Sequence, residues 1–142
     1  MPIIGYSITN VSANRKPVNQ IDKLDINSSV KITNVEEKTI TFPDKSEALG
    51  IRFEFNTTYK PELAKLEING EVLFTDKSNK KTLELWKKKK ALPENVDIEV
   101  KNFLFRRCLT IGINLTQELQ LPPPVIFPMI APKEENKSNY IG

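Results

Sequence analysis

The 142-residue chain contains no histidine. That removes the commonest general base, the commonest metal ligand and every Ser/His or Cys/His pair from which an activated nucleophile is built. One cysteine is present, Cys108, so no intramolecular disulfide can form, and a reducing compartment is the simpler setting. Only five glycines occur, and no glycine-rich phosphate-cradling loop is among them, which argues against nucleotide-driven chemistry. Nowhere are there about 18 consecutive apolar residues, and residues 1–7 lack the basic region and apolar run of a signal peptide. The expectation is a cytoplasmic protein without membrane insertion. An excess of one charge is missing too: 21 basic and 18 acidic residues are interspersed, leaving a net charge of +3, so no whole-molecule field selects nucleic acid or an acidic substrate.

What is present is enough apolar residue, 39%, for one core. The reading is a single domain over residues 1–130, followed by a polar, charged tail over 131–142 that is expected to be flexible.

The dominant stretch is 94–120, which predicts one long helix. Pro93 opens it, and Glu94 and Asp97 suit the positive end of the helix dipole. Val96, Val100, Phe103, Leu104, Cys108, Ile111, Leu115 and Leu119 fall on one broad arc at helical spacing, and Ile98, Phe105, Leu109 and Ile113 widen it. An apolar surface this wide exceeds what one sheet can cover. It predicts a second partner, and a copy of the same chain is the natural candidate. Gly112 interrupts the helix at about 1 kcal/mol relative to alanine, which reads either as tolerated sequence or as room for a neighbouring helix.

Four strands precede it. Ile4, Tyr6 and Ile8 alternate with polar or small residues up to about Ala13. Residues 14–29 read as a long crossover loop. Residues 30–42 read as a second strand, with a bulge or hairpin turn where Val35 breaks the phase. Leu49, Ile51, Phe53 and Phe55 mark a third strand with one dry face, and Tyr59, Lys60 and Pro61 turn the chain. Leu66, Ile68, Val72 and Phe74 mark a fourth, with Gly70 as a candidate bulge. Ser78 then reads as the N-cap of a short helix containing Leu83, Leu85 and Trp86, supported by a Glu84/Lys88 pair. After the long helix, residues 121–129 are apolar but proline-interrupted, hence not helical. The fold class is α+β: a four-stranded antiparallel sheet with a short helix and one long helix packed on one face.

Candidate chemistry is sparse. The run Lys87, Lys88, Lys89, Lys90 reads either as a solvated helix end or as a nucleic-acid footprint; without a recognition motif the first is the better account. Cys108 sits on the apolar arc with no acid or base partner and reads as an inert buried thiol. Carboxylates are numerous, but none are spaced for acid/base work. No catalytic residue, metal ligand or cofactor is assigned, and the chain does not read as an enzyme.

The order of four strands, a crossover loop, a short helix, one long helix and a proline-containing segment resembles the SecB export chaperones. The local match is Arg106-Arg107-Cys108-Leu109-Thr110, like the family's Arg-x-Cys-Ile-Thr stretch, followed by residues 121–127, which are similar to its helix-connecting loop.

The resemblance implies an ATP-independent holdase for unfolded or pre-export polypeptides, assembled as a homotetramer, a dimer of dimers. It implies a peptide groove from Ile21, Leu24, Ile26, Ile40, Phe42, Leu121, Val125, Ile126, Phe127 and Met129, and an oligomer interface from Ile4, Tyr6, Ile8, Phe105, Leu109, Gly112 and Ile113. Bacterial members are strongly acidic and dock the SecA motor through acidic sheet residues and a C-terminal helix. This chain is slightly basic and its tail lacks a helical pattern, so no residue is assigned to such a motor.

Overall fold

The computed structural model describes residues 2–17, 24–41 and 45–125. Four strands, β1 (Ile3–Arg15), β2 (Asp25–Ile40), β3 (Ser46–Lys60) and β4 (Ala64–Phe74), are followed by two helices, α1 (Asn79–Lys89) and α2 (Glu94–Glu118). The sheet is antiparallel throughout with order β1-β4-β3-β2. The second to fourth strands form a meander, while β1 lies at the far edge from β2.

All four strands are longer than the alternating apolar stretches that announce them. β2 begins at Asp25, inside the stretch read from sequence as a loop. β2 is also one continuous strand, with no hairpin turn. Pairing jumps from Ile32↔Phe53 to Asn34↔Arg52, leaving Thr33 as the extra residue of a bulge. The bulge shifts the side-chain phase by one, so Val30, Ile32 and Val35 all reach the same core despite their odd spacing. Thr9 is the extra residue of a bulge in β1, opposite the Asn69–Gly70 step. Gly70 is therefore the partner of the bulge rather than its site. A Cβ there would collide with the Ser7 carbonyl oxygen and lie 3.1 Å from the Ile8 Cα.

One sheet face is dry. Leu49, Ile51, Phe53 and Phe55 of β3 and Ile68, Val72 and Phe74 of β4 are buried against Val96, Val100, Leu104 and Cys108 of α2. Each such fully buried large side chain contributes roughly 1.5–3 kcal/mol. The buried line on α2 is Val96, Val100, Leu104, Cys108, Gly112 and Thr116, every fourth residue. Such a line drifts around the helix, so α2 crosses the sheet obliquely and its two ends meet different parts of it. The opposite face is polar, with Lys38 3.2 Å from Glu36 and 3.6 Å from Glu71.

Two local expectations fail in detail. Ser78 occupies the N-cap position of α1, but its hydroxyl donates to Asp76 Oδ1 at 2.7 Å instead of capping the helix. Glu84 and Lys88 form no ion pair; the i,i+4 pair among the described residues is Asp97–Lys101, at 3.1 Å.

Candidate functional site

At one end of the sheet the start of β2, the turn between β3 and β4, and the chain leaving α2 converge. Asp25 pairs with Lys60 and Ile26 with Tyr59. Tyr59, Leu63, Ala64, Leu66 and Leu121 form a second buried cluster, on which Ala13, Leu24, Leu115 and Leu119 pack half-buried.

Leu121 reaches this cluster because of how α2 ends. Gln120 adopts a left-handed conformation with φ 55°, the Leu121 N–H donates to the Thr116 carbonyl at 2.8 Å, and the Gln120 N–H donates to Gln117 at 3.2 Å. This is a Schellman motif with glutamine where glycine is usual, and it folds the chain back so that Leu121 points inward. The carbonyls of Leu119 and Gln120 accept from Arg15 Nη1 at 2.7 and 3.1 Å. One residue further, the Pro122 carbonyl accepts from the Tyr59 hydroxyl at 2.5 Å. Two side chains of the sheet thus hold the proline segment where it leaves the helix.

Beside the cluster lies a concavity of about 460 Å³ lined by Tyr59, Pro61 and Ala64 together with the polar Asn14 and Thr58 and the charged Lys16, Lys60, Glu62 and Lys65. Ile26 stands 36% exposed next to Tyr59. β2 is an edge strand, so beyond it the backbone N–H and C=O groups of one side have no ladder partner among the described residues. The site offers apolar surface, an open strand edge and a few exposed cations. Burial pushes the Tyr59 phenol, and in the main core the Cys108 thiol, each up to about 12. Among the described residues no three His, Cys, Asp or Glu side chains gather as a metal site.

The structure brings Leu24, Ile26 and Leu121 to this end, with Leu121 in the core and Val125 half-buried in the same post-helix segment. It does not bring Ile40 there. Ile40 closes β2 opposite Ser46, fourteen residues or roughly 45 Å along the strand from Ile26, and the Thr33 bulge turns it to the other face. Ile21, Phe42, Ile126, Phe127 and Met129 lie outside the described residues, as does the tail over 131–142. Tyr59, read from sequence as part of a turn, is the central side chain of the site. Its signal was the alternation of Phe53, Phe55, Thr57 and Tyr59, which continues the dry face of β3 to its end.

Of the residues expected at an oligomer interface, Ile4 and Tyr6 are 46% and 41% exposed on β1, and Val11 joins them. Tyr6 meets Phe103 edge to face at 5.5 Å, with the Arg107 guanidinium 5.1 Å from its ring. Ile8, Phe105 and Leu109 are half-buried against the core of their own chain, Phe105 edge-on to Phe55 at 6.0 Å, and Ile113 is half-buried. Gly112 is buried, and a Cβ there would make ordinary contact with Pro124 Cγ at 3.5 Å and Leu66 Cδ2 at 3.7 Å. It faces its own sheet and the proline segment.

No known family and no curated protein matches the chain in sequence. Among solved structures, a SecB-like chaperone of Mycobacterium tuberculosis, in complex with a ChAD peptide from the HigA1 antitoxin, superposes with a TM-score of 0.57 and covers 92% of this chain and 91% of its own, at 13% identity. The fold is SecB-like. The SecB-like arrangement includes both the sheet and the helices laid on one face of it, and the resemblance read from the sequence therefore holds at the level of architecture. No helix among the described residues is long and apolar enough to cross a membrane.

Proposed function

We propose that the protein is an ATP-independent chaperone that binds non-native polypeptide at the end of the sheet where Leu24, Ile26, Tyr59 and Leu121 meet. The observation that carries this reading is the open strand edge of β2 with Ile26 exposed beside Tyr59, next to the cluster on which Leu24 packs half-buried. An extended chain can place alternate apolar side chains against such a surface while its backbone pairs with the strand edge, and neither interaction depends on a particular sequence. The peptide held by the SecB-like neighbour supports a polypeptide ligand for this fold.

Binding to the unfolded chain and not to the folded one shifts the client's folding and aggregation equilibria by mass action, without nucleotide. Ile21, Phe42, Ile126, Phe127 and Met129 are proposed as further client contacts. Assembly proceeds through β1, whose Ile4, Tyr6 and Val11 are exposed along an unpaired edge; a second copy adding its own β1 covers them. The basic run on α1 does not favour nucleic acid as the main ligand, because Trp86, its one aromatic neighbour, is buried and offers no stacking platform.

The test is size-exclusion chromatography of the protein mixed with a reduced, carboxymethylated client and, separately, with the same client in native form. Co-elution with the unfolded client alone is expected. Equal retention of both, or of neither, contradicts the proposal.

A further inference from the structure

Between positions 77 and 90 the chain carries seven lysines and one glutamate, although the whole protein has a net charge of only +3. Among the described residues none of these lysines forms an ion pair, whereas Lys16, Lys38 and Lys101 do. The helix dipole accounts for cations in the last turn, Lys87, Lys88 and Lys89. It does not account for Lys80 and Lys81 in the first turn, where that dipole disfavours them, nor for the position of Lys90. Lys90 is the left-handed residue that closes α1, with φ 53°, a position where glycine is the usual occupant. Like charges along one short helix and a lysine in a left-handed cap both work against stability.

Three of these lysines, Lys80, Lys87 and Lys90, border hollows of mixed apolar and charged lining. One, of about 330 Å³, has Val30, Ile32, Trp86 and Leu92 in its wall, with Lys31, Lys90 and the ion-paired Asp97 and Lys101 also lining it and the Lys90 ammonium 5.7 Å from the Trp86 ring. The other, of about 240 Å³, has Ala48, Leu49 and Leu83 in its wall and Lys80 and Lys87 at its margin. Nucleic acid is a poor fit to such places: it would meet apolar walls with no exposed ring to stack on, and at the second hollow the carboxylates of Glu37, Glu47 and Glu84 as well. A polypeptide with neighbouring apolar and acidic side chains fits the first hollow, where Lys31 and Lys90 form no ion pair among the described residues; at the second, Glu37, Glu47 and Glu84 disfavour it as they disfavour nucleic acid.

We infer that α1 and the adjoining face of β2 form a second polypeptide subsite that selects clients carrying acidic residues next to apolar ones. The inference rests on the proposed chaperone reading and names the client class it favours. Apolar side chains enter the hollow beside Trp86, and client carboxylates pair with Lys31 and Lys90 at its margin. Two or three exposed ion pairs of this kind amount to about a tenfold preference.

Trp86 is the only tryptophan of the chain and reports directly on this hollow. The experiment titrates the full-length protein with two short tryptophan-free peptides of identical apolar residues, one with glutamates and one with lysines at the intervening positions, following Trp86 emission. The glutamate peptide is expected to bind about tenfold more tightly at low salt. The difference should collapse at about 0.5 M salt, where the screening length is about 4 Å. It should also vanish in the Lys31→Glu, Lys90→Glu variant, whose exposed substitutions leave the circular dichroism spectrum unchanged. Equal affinities, a preference that survives in that variant, or displacement of the glutamate peptide by duplex DNA at matched charge overturns the inference. If the preference is absent while the protein still suppresses aggregation of an unfolded client, only the subsite fails; if neither peptide binds and no client is protected, the chaperone reading fails with it.

Discussion

The Tyr59 hydroxyl donates a hydrogen bond to the Pro122 carbonyl at 2.5 Å, joining residues 63 positions apart. With Arg15 on the last helical carbonyls, it fixes the direction in which the proline segment leaves α2. Replacing Tyr59 by Phe keeps the ring in its cluster and removes only the donor. The expected loss is about 1 kcal/mol in urea denaturation, seen as a lower midpoint at unchanged slope. Client affinity should fall in the same variant, because the wall formed by the segment is no longer held.

Gly70 allows β1 to approach β4 at the Thr9 bulge, since a Cβ would meet the Ser7 carbonyl oxygen. Gly70→Ala forces the two backbones apart and should cost about 1–3 kcal/mol, read from thermal or urea unfolding. Gly112→Ala, by contrast, meets only side-chain atoms at 3.5 Å or more and replaces a poor helix former with the best one. It should be neutral or stabilising by up to about 1 kcal/mol.

How much of this was legible in the sequence follows from what periodicity can and cannot encode. The dry face of β3 and the long helix were plain, because each repeats one spacing without interruption. The bulge at Thr33 was not, because one extra residue shifts the phase and so imitates a turn; only the partner strand distinguishes the two. Leu121 belongs to an apolar segment that the sequence leaves open as either a core-covering loop or a groove wall, and its burial depends on the left-handed Gln120, which no composition rule anticipates. Ile40 looked equivalent to Ile26 because both are apolar residues of one strand, yet strand length and the bulge separate them.

The pH dependence of stability has a definite sign. Burial raises both Cys108 and Tyr59 to about 12, above their ordinary values of 9.0 and 10.0. Each group is protonated in both states below its unfolded value and contributes no pH dependence there. As pH rises above about 9, the unfolded chain loses these protons first, so stability should fall progressively towards pH 12. The accompanying prediction is chemical: iodoacetamide should leave Cys108 unmodified in the native protein at pH 8 and label it fully in denaturant.

Ile26 is exposed, so Ile26→Asp removes apolar surface from the site without opening the core. The fold, measured by circular dichroism and urea midpoint, should change by no more than about 0.5 kcal/mol, while affinity for an unfolded client drops several-fold. An unfolded variant would place Ile26 in the core instead. Ile40→Asp should leave client affinity unchanged, because that residue lies at the other end of β2 and on the other face.

The measurement that bears most directly on the central claim is light scattering of an aggregation-prone protein diluted from denaturant, with and without this protein and in the absence of ATP. Suppression at near-stoichiometric amounts, weakened by Ile26→Asp and restored to none of its loss by added ATP, is the expected result. Undiminished scattering across several clients at a molar excess of this protein would contradict the account.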